Sequence, residues 1–216
     1  MREEVIRKIE QYKVIAIMRG VATDKAVLAA KALYEGGVRL VEVTFNQKAP
    51  ETFKDTMSAI SAIKAEMGDK MTVGAGTVIT VEQAEMAKSA GAEYIVSPDT
   101  DEEVIKRTIE LDMVSLPGAY TATECKKAHN AGADFVKLFP CTDGADKYLK
   151  ALRAPLSHIK FLAVGGVTPE NAPDFMKAGA YGIGVGSAIV NGKWVDDGEF
   201  GRITEQARLF ADAVKQ

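Results

Sequence analysis

Short segments of continuous apolar residues recur along the chain, and stretches with the three-to-four-residue spacing of helices separate them. The apolar segments are rich in Val, Ile and Leu and do not alternate with polar residues. This pattern is typical of parallel strands that are covered on both faces. It predicts eight strands: Val14–Met18, Leu40–Phe45, Met71–Ala75, Tyr94–Ser97, Met113–Leu116, Phe135–Phe139, Phe161–Val164 and Ile183–Val185.

The stretches between these segments carry residues that begin and end helices. Three pairs have the spacing of a capping box: Thr80 with Gln83, Thr100 with Glu103, and Thr121 with Glu124. A weak internal repeat also places a glycine shortly before a strand in four places: Gly37, Gly91, Gly132 and Gly179. A glycine at such a position ends a helix in the left-handed conformation.

Eight strands that alternate with helices along 216 residues fit one architecture best. We predict an α/β fold, a single (β/α)8 TIM barrel domain over residues 1–216, with residues 1–12 as an extra N-terminal helix. The main alternative is a doubly wound open sheet. The GxGxxG motif that would support this alternative does not follow the first strand.

The composition is that of an ordinary soluble protein, with 47% hydrophobic and 26% charged residues. No apolar run approaches the length of a membrane span, and the charged N-terminus lacks the apolar core of a secretion signal. We therefore expect a cytoplasmic protein with no membrane contact. A net charge of −3 also argues against a nucleic-acid partner.

Metal and thiol chemistry find little support in the sequence. The two cysteines, Cys125 and Cys141, form no CxxC motif, and His129 and His158 form neither HxH nor HExxH. We expect no disulfide framework, no histidine or thiolate metal site and no cofactor. A magnesium site built from carboxylates alone is the remaining metal alternative.

Two charged residues lie inside predicted apolar strands. Glu42 comes five positions after Gly37, and Lys137 comes five positions after Gly132, so the repeat places them at the same height on the second and sixth strands. Even-numbered strands share inward-facing layers in a (β/α)8 barrel. We predict an acid/base carboxyl next to a desolvated, nucleophilic amine. An internal salt bridge or a lysine that reaches solvent is the structural alternative.

The carboxyl ends of the strands carry further candidates, since they form the active face of such a barrel. Arg19 closes the first strand and could fork onto a substrate carboxylate, or be a solvated loop residue. Glycine-rich segments follow the seventh and eighth strands, at Gly165-Gly166 and Gly184-Val185-Gly186-Ser187. Loops at these two places form the usual phosphate site of this fold.

Six motifs in chain order carry a family resemblance: VEVTF, GAGTV, YIVSP, FVKLFP, AVGGVTPEN and GVGSA. Together they resemble the 2-keto-3-deoxy-6-phosphogluconate (KDPG) and 4-hydroxy-2-oxoglutarate (KHG) aldolase family, which includes the 2-keto-3-deoxy-6-phosphogalactonate aldolases. The resemblance implies a homotrimer of (β/α)8 barrels that cleaves a small phosphorylated keto acid through a lysine Schiff base, without a metal.

The resemblance also implies roles for individual residues. Lys137 in FVKLFP would be the Schiff-base lysine, and Glu42 in VEVTF the general acid/base. Thr77 and Pro98 would line the pyruvyl pocket. The phosphate site would comprise Gly165, Gly166, Gly186 and Ser187.

Some positions depart from the family pattern and bear on the substrate. Asn46 stands where some members carry a carboxylate-binding arginine, and Arg19 is the expected substitute. Val164 stands where many phosphogluconate-type members have threonine, and we expect it beside the substrate near C4.

The expected reaction is cleavage of 2-keto-3-deoxy-6-phosphogluconate to pyruvate and glyceraldehyde 3-phosphate, with 4-hydroxy-2-oxoglutarate as a further substrate that yields pyruvate and glyoxylate. A 2-keto-3-deoxy-6-phosphogalactonate aldolase is the first alternative. A sugar-phosphate epimerase or isomerase on the same barrel, or a non-catalytic sugar-phosphate sensor, is more distant.

Overall fold

A computed structural model describes residues 2–215, which contain nine short strands, and helices connect all but one consecutive pair of them. The strands are β1 (Val14–Met18), β2 (Leu40–Thr44), β3 (Thr72–Gly76), β4 (Tyr94–Val96), β5 (Val114–Leu116), β6 (Gly118–Ala119), β7 (Val136–Leu138), β8 (Phe161–Val164) and β9 (Gly182–Val185). The α-helices are α1 (Arg2–Tyr12), α2 (Thr23–Glu35), α3 (Phe53–Met67), α4 (Val81–Ser89), α5 (Glu102–Glu110), α6 (Ala122–Asn130), α7 (Ala145–Arg153), α8 (Ala172–Lys177), α9 (Gly192–Asp196) and α10 (Phe200–Ala213). Two short 3₁₀ helices flank α3, at Pro50–Thr52 and Gly68–Lys70.

All strand pairs are parallel, and the order of the strands is β5-β4-β3-β2-β1-β9-β8-β7-β6. The two ends of this order, β5 and β6, are consecutive in the chain and are separated only by Pro117. They act as one interrupted strand, because β5 pairs with β4 while β6 pairs with β7. The Pro117 carbonyl accepts a hydrogen bond from Lys137 N–H at 2.9 Å. The sheet thus closes into the predicted eight-stranded barrel, and its fifth strand continues beyond the predicted end at Leu116.

Buried apolar residues form two layers. The larger cluster lies between the strands and the surrounding helices. The smaller cluster fills the inside of the barrel, and Val5 and Ile9 of α1 belong to it. The predicted N-terminal helix therefore packs against the amino ends of the strands and closes that end of the barrel. The carboxyl ends remain open.

The helix boundaries test the predicted caps. The four repeat glycines have φ between 94° and 103°, as expected for left-handed helix ends. Thr121 and Glu124 form a complete capping box, and Thr80 accepts a hydrogen bond from Gln83 N–H. The predicted box at Thr100 is wrong, because Asp101 caps α5 instead and accepts from two backbone N–H groups.

Within the described residues, each helix is too short or too polar to cross a membrane.

Candidate active site

A cavity of about 750 Å³ opens at the carboxyl ends of the strands. Nine of the ten site residues predicted from the sequence line it: Arg19, Thr77, Pro98, Lys137, Val164, Gly165, Gly166, Gly186 and Ser187. The tenth, Glu42, is 3% exposed and lies in the barrel interior. The barrel therefore gathers residues that are far apart in the sequence at one end of the sheet.

Glu42 and Lys137 project into the barrel from β2 and β7. Leu40 on β2 and Phe135 immediately before β7 are two residues earlier in the chain and belong to the interior cluster. Side chains two residues apart share a strand face, so both charged groups point inward, as the glycine repeat predicted. Within residues 2–215, neither the Glu42 carboxyl nor the Lys137 amine has a hydrogen-bond or ion-pair partner. The alternative of an internal salt bridge is therefore not what the structure contains.

The two groups influence each other's protonation. Burial raises the pKa of the Glu42 carboxyl to about 7, although the positive charges of Lys137 and Arg19 act in the opposite direction. Burial also lowers the pKa of the Lys137 amine; the Glu42 carboxylate opposes this change and Arg19 adds to it. An amine with a lowered pKa is present to a larger extent in its neutral, nucleophilic form at neutral pH. A carboxyl that titrates near neutrality can both accept and donate a proton.

Strand β3 makes room for these groups because its two inward positions nearest the cavity, Gly74 and Gly76, are glycines. A Cβ atom on Gly76 would collide with Oε1 of Glu42, and a Cβ atom on Gly74 would collide with the ring of Tyr94. Tyr94 is fully buried inside the barrel. The GAGTV motif therefore contains two glycines that are required by close approach rather than by a turn.

Arg19 follows β1 and reaches the cavity with its side chain exposed. Within the described residues its guanidinium has no ion-pair partner. A free guanidinium at the rim of a cavity can form two parallel hydrogen bonds with a carboxylate.

Thr77 is held in an unusual backbone conformation, with φ of 55°, which β-branched residues rarely adopt. Its carbonyl oxygen accepts a hydrogen bond from Gln47 Nε2 at 2.6 Å. Gln83 Nε2 donates to Gln47 Oε1 at 2.9 Å, and Ile79 N–H donates to Gln83 Oε1 at 2.8 Å. The two glutamine amides thus fix the loop that carries Thr77 to the cavity wall.

The two glycine-rich loops line the cavity and contain backbone N–H groups that are not used in the backbone hydrogen bonds of the described residues. Within residues 2–215, the N–H groups of Gly165, Gly166, Gly186 and Ser187 donate to no backbone carbonyl. Gly165 and Gly166 have φ of 86° and 74°, and a Cβ atom on Gly166 would collide with the carbonyl of Cys141. Unpaired N–H groups that face a cavity are suited to bind an anion such as a phosphate.

Val164 and Pro98 complete the predicted set. Val164 is the last residue of β8, and its methyl groups lie against Gly184. Pro98 follows β4, and its carbonyl lies so close to Gly118 that no side chain fits there. Both residues contribute apolar surface to the cavity wall.

Two contributions to the site were not predicted from the sequence. Gln47 acts through its contact with Gln83 of α4, and the capping-box spacing of Gln83 with Thr80 does not indicate this contact. Phe139 lies 4.6 Å from Lys137 Nζ, measured to the ring centroid, and lines the cavity. The alternation of inward and outward residues along FVKLFP would have found Phe139, because it is two residues after Lys137.

Within residues 2–215, no group of three or more Asp, Glu, His or Cys side chains is arranged to hold a metal ion.

The closed barrel and the cavity at its carboxyl ends define a (β/α)8-barrel enzyme. The chain belongs to the KDPG and KHG aldolase family, whose model matches residues 5–206. It is 38% identical to the 2-dehydro-3-deoxy-6-phosphogalactonate aldolase of Escherichia coli K12, with 94% of each chain covered. It is 33% identical to the KHG/KDPG aldolase of the same organism, over 89% of this chain and 87% of the relative. The solved structure of native KDPGal superposes with a TM-score of 0.83, at 38% identity over 94% of each chain. The predicted family and fold are confirmed.

Proposed function

We propose that this protein is a class I aldolase that cleaves 2-keto-3-deoxy-6-phosphogluconate into pyruvate and glyceraldehyde 3-phosphate, with Lys137 as the Schiff-base amine. The observation that carries the proposal is the pair of Glu42 and Lys137, buried together in the barrel and without an ion-pair partner among residues 2–215. Membership of the aldolase family favours this activity over an epimerase, an isomerase or a sensor.

The reaction begins at Lys137. The neutral amine attacks the C2 carbonyl of the substrate, and loss of water from the carbinolamine gives a protonated imine. The imine nitrogen then accepts the electron pair of the bond that breaks. Burial of Lys137 favours this step because it increases the neutral fraction of the amine.

Glu42 moves the protons of the next two steps. Its carboxylate accepts the proton of the C4 hydroxyl while the C3–C4 bond breaks, so that glyceraldehyde 3-phosphate leaves and an enamine remains. The protonated carboxyl then returns the proton to C3 of the enamine. Water attacks C2 of the resulting imine, which releases pyruvate and regenerates the free amine.

The remaining site residues bind the two ends of the substrate. Arg19 forks onto the carboxylate, and Thr77 and Pro98 form the wall of the pyruvyl pocket. The phosphate at the other end accepts hydrogen bonds from the N–H groups of Gly165, Gly166, Gly186 and Ser187. Binding at both ends fixes C2 against Lys137 and so contributes to the rate.

The C4 epimer, 2-keto-3-deoxy-6-phosphogalactonate, is a second candidate substrate. Two observations favour it: the 38% identity to a phosphogalactonate aldolase, and the apolar Val164 at the cavity wall. A valine offers no hydrogen bond to distinguish one C4 hydroxyl from its epimer. The pyruvyl half of the site also suits 4-hydroxy-2-oxoglutarate, which would use Lys137 and Arg19 and leave the phosphate loops empty.

The proposal extends to assembly and setting: a single-domain, cytoplasmic homotrimer. The resemblance to the family supports the trimer, and two buried free cysteines, Cys125 and Cys141, are compatible with a reducing compartment. Sedimentation equilibrium should give three times the chain mass of 23.2 kDa. A monomer at micromolar concentration would contradict the trimer.

The direct test is to trap the imine. Incubation with pyruvate and borohydride should add one reduced pyruvyl group, and peptide mass mapping should place it on Lys137. Lys137→Met should abolish the label, whereas Lys160→Met should retain it, because Lys160 lies near the amino ends of the strands and pairs with Glu10. Labelling that persists in Lys137→Met would refute the assignment.

The proposed chemistry uses no metal, so exhaustive chelation should leave the activity intact. Loss of activity that one divalent metal restores would favour a metal-dependent aldolase instead.

A further inference from the structure

We propose that Tyr94 is a positioning residue for Glu42: its hydroxyl donates a hydrogen bond to the Glu42 carboxyl across one water molecule, from the side away from the substrate cavity. This inference rests on the proposed function, in which Glu42 moves the substrate protons. Tyr94 has no other part in the reaction and does not line the cavity.

The strand register brings the two side chains together. Glu42 pairs with Gly74, and Gly74 pairs in turn with Tyr94, so the three residues form one inward-facing row across β2, β3 and β4. Neighbouring strands are about 4.8 Å apart, which places the Glu42 and Tyr94 backbones roughly 10 Å apart. Gly74 has no side chain, and the two outer residues therefore face each other across it.

The atoms closest to a Cβ atom built on Gly74 or Gly76 of β3 show where the side chains of Tyr94 and Glu42 lie. At Gly74 the nearest atoms are Cε2, Cδ2 and Cζ of Tyr94, so the hydroxyl-bearing end of the ring lies over this strand. At Gly76 the nearest atom is Oε1 of Glu42. Gly76 is one inward position closer to the cavity, a rise of roughly 7 Å along the strand. The Tyr94 hydroxyl therefore lies on the closed side of the Glu42 carboxyl, and the proposal places one water molecule between the two groups.

The Tyr94 hydroxyl needs a partner. The residue is fully buried, and within residues 2–215 its oxygen forms no hydrogen bond. A buried hydroxyl without a partner costs free energy that a phenylalanine of the same shape would avoid. A role at Glu42 explains why a hydroxyl is present in an otherwise apolar layer.

The other charged groups near Glu42 and Tyr94 either lie on the cavity side of the Glu42 carboxyl or have partners of their own. Lys137 on β7 and Arg19 after β1 face Glu42, and both line the cavity. Glu93, next to Tyr94, is bound to Lys64 at 2.8 Å and to Val73 N–H. Tyr94 therefore supplies the donor on the closed side of the carboxyl.

The chemistry of the two groups suits a donor and an acceptor. Burial and, to a smaller extent, the Glu42 carboxylate and Glu93 raise the pKa of Tyr94 well above its usual value, so the hydroxyl keeps its proton and donates. A hydrogen bond to the carboxylate stabilises the charged form of Glu42 and limits the rise in pKa that burial causes.

The test is the pH dependence of kcat for Tyr94→Phe at saturating substrate. Lys137 is bound in the imine in this regime, so the acidic limb reports Glu42. We expect the limb to move to higher pH by up to about one unit, with the high-pH plateau retained. Tyr181→Phe is the matched control, since Tyr181 packs against Phe135 at the closed end of the barrel and should leave the limb in place.

A double-mutant comparison separates positioning from general damage. Tyr94→Phe should have no further effect on the residual kcat of Glu42→Gln, because the group that it positions no longer titrates. An equal loss in both backgrounds would overturn the proposal.

An acidic limb that stays in place while the melting temperature rises would also overturn it, since that result means an unpartnered hydroxyl was removed. If wild-type protein traps pyruvate at Lys137 and the limb does not move, only the role of Tyr94 fails. If wild-type protein traps no pyruvate, the proposed function itself fails.

Discussion

The interior of the barrel has two halves that are built from the same strands and differ by one inward position. In the lower half, Leu40 and Phe135 pack with Val5 and Ile9 of α1 into a closed apolar layer. In the upper half, Glu42 and Lys137 occupy the next inward positions of β2 and β7, where they are buried and have no ion-pair partner in the part of the chain that the structure describes. Positions only two residues apart therefore differ in role: the first stabilises the fold, and the second holds a group proposed to react with the substrate.

The comparison shows where the protein gains and loses stability. Burial of a large apolar side chain stabilises the fold by about 1.5–3 kcal/mol. Burial of a charge without a partner costs free energy. The pKa of Glu42 is raised and that of Lys137 is lowered because burial destabilises the charged form of each group. The lower half can therefore support the unfavourable groups above it, and substitutions in the two halves should have opposite consequences.

The largest expected effect is that of Lys137→Met, which should lower kcat/KM by about 10⁴-fold or more, because no other group can form the imine. The folded protein should be as stable as wild type or more so, since an apolar side chain replaces a buried amine. Phe135→Ala, two residues earlier, is the contrast: it should cost about 3–5 kcal/mol of unfolding free energy. Its remaining folded fraction should still trap pyruvate. Thermal denaturation and steady-state kinetics of both variants check this, and a strongly destabilised Lys137→Met would break the comparison.

Glu42→Gln should separate imine formation from proton transfer and remove a pH dependence of stability. Proton transfer by a positioned side chain contributes about 10²–10⁴-fold, so kcat should fall by this factor while pyruvate is still trapped on Lys137.

The folded-state pKa of Glu42 is about 7 and its usual value is 4.5. Folded protein therefore binds this proton more tightly than the unfolded chain between these pH values, and its stability falls as pH rises through that window.

Above pH 7 the buried Glu42 carboxylate should cost up to about 3 kcal/mol. Glu42→Gln should accordingly raise the unfolding free energy at pH 8 and change it little at pH 4.5. Denaturant titrations at both pH values measure the difference. A variant that is equally destabilised at both would show that Glu42 has a structural partner in solution.

The fold could be predicted because its pattern is local. Continuous apolar segments, helix-ending glycines and the five-residue offset from Gly37 and Gly132 together placed Glu42 and Lys137 in one barrel. Continuation of the fifth strand after Pro117 could not be predicted, since proline lacks the N–H of a ladder residue and reads as a strand end.

Parts of the site depend on contacts that no local pattern records. Gln83 of α4 contacts Gln47 in the loop after β2, and Gln47 binds the carbonyl of Thr77, which has a left-handed conformation. The sequence indicates only an ordinary strand residue at Tyr94. Closure of the barrel buries its hydroxyl without a hydrogen-bond partner among the described residues. Asp101 competes with Thr100 for the same helix cap, and three-dimensional geometry decides between them.

A smaller effect is expected for Arg19→Ala at the rim of the upper half. Loss of a charge-assisted hydrogen bond of about 1.5–3 kcal/mol should weaken pyruvate imine formation by about 10- to 150-fold. Imine formation by Arg19→Lys should lie between that of Arg19→Ala and that of wild type. Lysine retains the positive charge but cannot form two parallel hydrogen bonds with the carboxylate. The measurement is the pyruvate concentration at half-maximal borohydride labelling. Unchanged labelling by Arg19→Ala would make Arg19 a solvated loop residue.

The smallest effect concerns Val164, where the upper half meets the distal end of the substrate. Sites that hydrogen-bond a hydroxyl discriminate strongly, whereas an apolar wall rejects an isomer weakly. We expect the wild-type protein to discriminate poorly between the gluconate and galactonate C4 epimers, or to accept the galactonate form comparatively well. Val164→Thr should shift the kcat/KM ratio toward the gluconate epimer by roughly tenfold, or about 1.4 kcal/mol.

Both epimers are measured with both proteins, and Val167→Thr serves as the matched control, since Val167 lines the same cavity beyond the two glycines. The control should leave the epimer ratio unchanged. Threonine has nearly the volume of valine, so Val164→Thr should not disturb the contact with Gly184. A wild-type protein that is already strict for the gluconate epimer, with a ratio indifferent to Val164→Thr, would assign the selection to another residue of the cavity wall.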